Sequence, residues 1–190
     1  MVEIRAAEDD MVVEGYATTF NEPYTLWEDD EIRVDEQVDA HAFDHTDMRD
    51  VIMQYDHEGR VFARISNGTL MLNADEHGLH VRADLGGTEI GRQLYEEIKG
   101  GYTSKMSFGF TVDAEEQLRK QEDGKEVVLC TIKGIRKLYD VSAVSLPANN
   151  ATEISARAYC EGVIAEAAEE RRKAAERERR VRKIKLLMEV

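Results

Sequence analysis

The stretch VIMQYDHEGRVFARISNGTLMLNADEHGLHVRADL (51–85) decides the fold class. It holds four short apolar or alternating runs, VIMQY (51–55), VFARI (61–65), TLMLNA (69–74) and LHVRADL (79–85), separated by DHEG, SNG and DEHG. Turn-forming Gly, Asn and Asp between such runs predict successive antiparallel strands.

Upstream, MVVEGYATTF (11–20) is rich in β-branched and aromatic residues and is broken by Asn21, Glu22 and Pro23, a strand followed by a turn. Residues 24–38 are acidic and irregular. In VDAHAFDHTDMRD (38–50), Val38, Ala42 and Phe43 can share one helical face, which predicts a short helix at about 39–48. Downstream, Thr88 is an N-cap for EIGRQLYEEIK (89–99), where Ile90, Leu94 and Ile98 recur at helical spacing before Gly100 and Gly101. Three further strands are predicted at KMSFGFTV (105–112), EVVLCTI (126–132) and LYDVSAVSL (138–146), the first two joined by the polar connection EEQLRKQEDGK. The expectation is a mainly β chain with a few helices (α+β), its seven or so strands closed into a β-barrel. From about Glu161 the chain is rich in Ala, Glu and Arg and reads as a charged C-terminal helix, with Val181, Ile184 and Leu187 as a narrow apolar stripe. Such a helix is either solvated and held by i,i+4 pairs or a docking or oligomerisation element, so a homo-oligomer is among the expected states. The division expected is a domain over 1–157 and a tail over 158–190.

With 190 residues, 42% of them hydrophobic, the chain can bury one sizeable core. Its net charge of −14 is uneven: residues 161–190 carry nine Lys/Arg and seven Asp/Glu, and the preceding body is strongly acidic. An acidic body repels phosphate backbones, so no direct nucleic-acid partner is expected, whereas basic segments are attracted. Cys130 and Cys160 show no CxxC spacing and read as free thiols in a reducing cytoplasm. No stretch approaches the roughly 18 apolar residues of a membrane-spanning helix.

A Ser nucleophile needs a base within hydrogen-bond reach, a group to orient that base, and donors for the oxyanion. His57 ends a short apolar strand in QYDHEGR, a setting that presents an imidazole at a sheet rim or merely a surface turn histidine. Ser107 lies between Met106 and Phe108, and strand alternation aims it at the opposite face from those two. MSFGF is not the GxSxG elbow of the α/β-hydrolases, and a lone strand serine is ordinarily structural. Asp140 is a carboxylate inside an apolar strand and needs a partner. An imidazole N–H would make it the orienting member of a Ser-His-Asp set, and Arg136 is the competing structural partner. His41 and His45 are four apart and could share Zn²⁺ on a helix, but an exposed helix face explains them equally well. Neither metal nor cofactor is expected.

Several segments, taken in order, resemble the phage prohead (HK97-type) maturation protease family: EGYATTFN, EQVDAHAF, the YDH segment, LNADEHGL, TEIGRQLYEEIKG (88–100), KMSFGF and LYDVSAVSLPANNATEI. Together they span roughly residues 11–157. The order and spacing are the specific part, with KMSFGF about 50 residues after the histidine and DVSAV about 33 after the serine. The resemblance implies a barrel like that of the herpesvirus assembly proteases, with His57 as base, Ser107 as nucleophile and Asp140 as the third member. Asp56 and Glu58 compete with Asp140 for that role. The resemblance also implies oxyanion donors around Ala148 and Asn149. The activity it implies is a serine endopeptidase that cuts the scaffold region of the phage major capsid protein, and itself, inside the assembling prohead in the host cytoplasm. A non-catalytic assembly protein with the same barrel is the alternative.

Overall fold

The computed structural model describes residues 4–6, 11–145 and positions scattered between 162 and 180. The chain divides into two compact units, Met1–Ala156 and Arg157–Val190, and the described positions of the second are helical.

The first unit is built from ten strands: β1 (Ile4–Ala6), β2 (Val12–Thr19), β3 (Tyr24–Glu28), β4 (Ile32–Val38), β5 (Ile52–Tyr55), β6 (Glu58–Arg64), β7 (Leu70–Ala74), β8 (Gly78–Asp84), β9 (Lys105–Glu122) and β10 (Lys125–Val144). One helix, α1 (Glu89–Lys99), and a single 3-10 turn at Ile65–Asn67 complete the described elements of this unit. Mainly β with short helices is as expected, but the closed barrel is not found. A four-stranded sheet runs β1-β2-β8-β7, and a six-stranded sheet runs β3-β4-β10-β5-β6 with β9 also on β10. Isolated contacts join their corners, among them the Phe20–Val38 bridge and the Ile4 N–H bond to Ser104 C=O (3.1 Å), and among the described residues no continuous ladder closes the circuit.

The long antiparallel pair β9–β10 organises the second sheet. β9 lies along one edge of β10; β4 takes the first part of the other edge in parallel (Glu126–Ile132 against Ile32–Val38) and β5 takes the last part (Asp140–Ala143 against Ile52–Tyr55). The polar segment expected as a connection is therefore strand up to Glu122. The reversal is confined to Asp123 and Gly124, both at positive φ, the two-residue hairpin pattern that fits strand twist. Likewise, 24–38 is a hairpin of two strands. Its acids Asp35 and Glu36, on opposite faces of β4, are buried but hydrogen-bonded to Thr25, Arg33 and Tyr24, which is how an acidic stretch can be strand.

The helix expected at 39–48 is instead a chain of turns. Ala42, Asp44 and Thr46 each donate N–H to the C=O three residues back, while Ile135 N–H bonds Ala42 C=O and Thr46 Oγ bonds Ile135 C=O (2.8 Å). These bonds to β10 replace i→i−4 pairing and still bury Ala42 and Phe43. The helix at 89–99 forms as expected: Thr88 Oγ accepts from Gly91 N–H, and Leu94, Tyr95 and Ile98 face the core. Cys130 is fully buried in β10, and Cys160 lies outside the described residues.

Candidate active site

A bulge in β10 builds the site's floor. Leu138 pairs with Phe110, whereas Asp140 pairs with Gly109, so Tyr139 is the extra residue. Regular alternation would put Asp140 on the same face as Leu138, in the core. The bulge sends it to the opposite face, while Val141 and Ala143 return to the core opposite Phe108 and Met106. Asp140 and Ser142 on β10 then share a face with Gly109 and Ser107 on β9, and Ser142 sits directly across from Ser107. Residues so paired have Cβ atoms about 4.5–5.5 Å apart.

Over this floor hangs the β5–β6 hairpin, with Tyr55 paired to Glu58 and the two turn residues Asp56 and His57 at φ 48° and 57°. Asp and His tolerate the left-handed region better than most side chains, yet two in succession still need external support. β10 supplies it. Asp56 N–H bonds Ala143 C=O (3.0 Å), and the Asp56 carboxylate accepts from Ser145 N–H (2.9 Å) and Ser145 Oγ (2.8 Å). His57 N–H bonds Ser142 Oγ (3.2 Å), and His57 Nδ1 lies 2.6 Å from Asp140 Oδ1.

A carboxylate only accepts, so His57 Nδ1 carries the proton in that bond, and the neutral ring's basic nitrogen is Nε2. Asp140 Oδ1 also accepts from Ser142 Oγ at 2.7 Å. Two donors on one oxygen compensate the burial of a carboxylate only 8% exposed. Its other oxygen leans over Gly109, where a Cβ would stand 2.1 Å from Oδ2.

The structure thus unites His57 with Asp140 and sets Ser107, 7% exposed, one ladder pair from the Asp140–Ser142 contact. Among the described residues Ser107 Oγ makes no hydrogen bond, so a serine–histidine contact is not closed in this arrangement. Such contacts commonly tighten only with substrate bound. The competitors are engaged elsewhere or stand apart: Arg136 pairs with Asp113, Asp56 with Ser145, and Glu58 is exposed at the rim of a cleft. That cleft, about 590 Å³, opens beside the hairpin between Tyr55, Asp56, Glu58 and Phe62 on one side and Ile90 and Leu94 of α1 on the other. Ala148 and Asn149 lie outside the described residues.

His41 is exposed and bonds Asp44 (3.2 Å), on turns and not on a helix. No group of three or more potential metal ligands occurs among the described residues. His77 and His80 pack edge-on against Tyr16.

A family model described as caudovirus prohead serine protease matches residues 1–165 of the 190. The chain belongs to that family. The protease matches no curated protein and no solved structure. As a caudovirus prohead serine protease it takes part in capsid maturation, and an imidazole–carboxylate pair beside a serine suits the activity that the family name states. Sequence reasoning missed Ser142 and Gly109. Asp140-x-Ser142 and Ser107-x-Gly109 are same-face pairs, which strand alternation alone could have signalled.

Proposed function

We propose that Ser107 is the nucleophile, His57 the general base and Asp140 the residue that orients it. The observation carrying this reading is the 2.6 Å contact between His57 Nδ1 and Asp140 Oδ1 on the face that also bears Ser107. Ser107 Oγ attacks the scissile carbonyl while His57 Nε2 takes its proton. The imidazolium, stabilised by Asp140, then protonates the leaving amine. Water, activated by the same imidazole, hydrolyses the acyl-enzyme and restores the serine. Backbone N–H groups around Ala148 and Asn149 are proposed for the oxyanion on the strength of the family resemblance alone. The cleft beside the hairpin is where a substrate side chain lodges, since both chain neighbours of His57 line it.

The substrates proposed are the scaffold region of the major capsid protein and the protease itself, cut inside the assembling prohead. The catalytic body is 1–157, and the charged tail 158–190 is a recruitment or self-inhibition element. Co-expression with a capsid protein carrying its scaffold segment, comparing wild type with Ser107→Ala by intact mass, tests this reading. Wild type is expected to trim scaffold and itself, while the variant leaves both whole, as loss of a triad nucleophile lowers turnover by about 10⁶-fold. Equal cutting by both proteins would move the nucleophile elsewhere.

A further inference from the structure

We infer that Ser142, which carries no role in the proposed chemistry, is a positioning residue that sets both the place and the basicity of His57. This inference rests on the His57–Asp140 reading above and deepens it. Ser142 is fully buried, and its hydroxyl is used in both directions: Oγ–H donates to Asp140 Oδ1 (2.7 Å) and Oγ accepts from His57 N–H (3.2 Å). One hydroxyl therefore joins the orienting carboxylate to the backbone of the residue being oriented.

Two consequences follow from this geometry. His57 sits at φ 57°, a conformation a non-glycine residue keeps only when its surroundings hold it. At the hairpin tip its N–H donates to Ser142 Oγ, which fixes the imidazole's height above the β9–β10 floor. The second consequence is electrostatic. Oδ1 is shared between His57 Nδ1–H and Ser142 Oγ–H, so part of the carboxylate charge is spent on the serine. Without that donor more charge falls on the imidazole, the imidazolium is favoured, and the ring titrates at higher pH. Ser142 thereby keeps the base available at lower pH while holding it in place. Its place across the ladder from Ser107 makes the same strand position a spacer beneath the proposed nucleophile.

The test uses the full chain carrying Ser107→Ala, so that the His57 ring can be followed by NMR with no self-cleavage and no need for an active assembly. The matched pair Ser142→Thr and Ser142→Val adds nearly the same volume and differs in the hydroxyl alone; Ser142→Ala is the third variant. Ser142→Val and Ser142→Ala are expected to raise the pH at which His57 titrates by about half a pH unit and to shift its Nδ1–H resonance, with Ser142→Thr close to the parent. With Ser107 restored, Val and Ala are expected to lower kcat about ten- to a hundredfold with little change in KM, and to move the acidic limb of the kcat/KM profile upward. If Thr and Val titrate alike and differ from the parent only in melting temperature, Ser142 is structural and the inference is overturned. Should Ser142→Ala fail to fold, the Thr/Val comparison decides. Asp140→Asn in the same background separates the two levels: if it leaves the His57 titration unchanged, the His57–Asp140 reading fails; if it alters the titration and Ser142→Val does not, only the role of Ser142 does.

Discussion

A β-carbon at position 109 would stand 2.1 Å from Asp140 Oδ2, closer than any real contact, so glycine there is dictated by a carboxylate on the neighbouring strand. Gly109→Ala must push Asp140 away from its two donors or spread β9 from β10. We expect it to cost about 1–3 kcal/mol of stability, as overpacking does, and to reduce kcat more than KM, read by denaturant melts alongside steady-state kinetics. Asp140→Asn is nearly isosteric and tests charge and tautomer. An amide NH₂ facing Nδ1 favours the tautomer protonated on Nε2, and kcat should fall on the order of 10⁴-fold while the melting temperature changes little. A loss below tenfold would remove Asp140 from the orienting role. At this scale His57, Ser107 and Asp140 were legible as residue types that need partners. Which partner Asp140 takes was not, because Arg136 is four residues away in sequence and nothing local reveals that it turns to Asp113.

The strand elements explain what sequence patterning hides. β9 and β10 were legible at their apolar ends only; the stretch 115–125 reads as a loop because both faces of this part of the hairpin carry polar residues, and pairing across Asp123–Gly124 makes it strand. The run 24–38 failed for the opposite reason, since its buried acids break the apolar rule and are paid for by hydrogen bonds that only the folded hairpin supplies. The β10 bulge did leave a trace: core residues Leu138 and Val141 are three apart, a step that a regular strand cannot make on one face. The β5–β6 hairpin belongs to this scale as well. Its turn is held by Asp56, whose carboxylate takes both donors of Ser145, and by the positive φ that Asp tolerates. Asp56→Ala loses both supports and is expected to cost about 1–3 kcal/mol and to impair activity through KM and kcat together. Asp56→Gly restores the backbone freedom without the clamp, so it should recover part of the stability and little of the activity. Full activity in Asp56→Ala would show that the hairpin is held well enough by β10 backbone alone.

Across the whole molecule the acidic balance makes pH the informative variable. Hydrogen bonds from Lys133 to Asp39, Arg49 to Asp47, Arg64 to Asp50, Lys125 to Glu28 and Lys120 to Glu122 each hold the carboxyl below its ordinary value. A carboxyl lowered in the folded state contributes stability that is present above its unfolded value, about 4, and is lost as pH falls toward the folded one. Glu115 works with the opposite sign: burial, reinforced by the charge of Glu36, raises it, so its ionisation opposes folding and that opposition fades as pH falls toward its unfolded value. The lowered carboxyls, Asp75 also among them, outnumber the raised one, which predicts a melting temperature nearly level from pH 7 to about 5 and falling steeply below about 4. Because most of these pairs are exposed, 1 M salt should shrink the fall, as screening at about 3 Å would. A melting temperature that stays level down to pH 3 at low salt would mean that these ion pairs persist in the unfolded chain or contribute nothing to the fold.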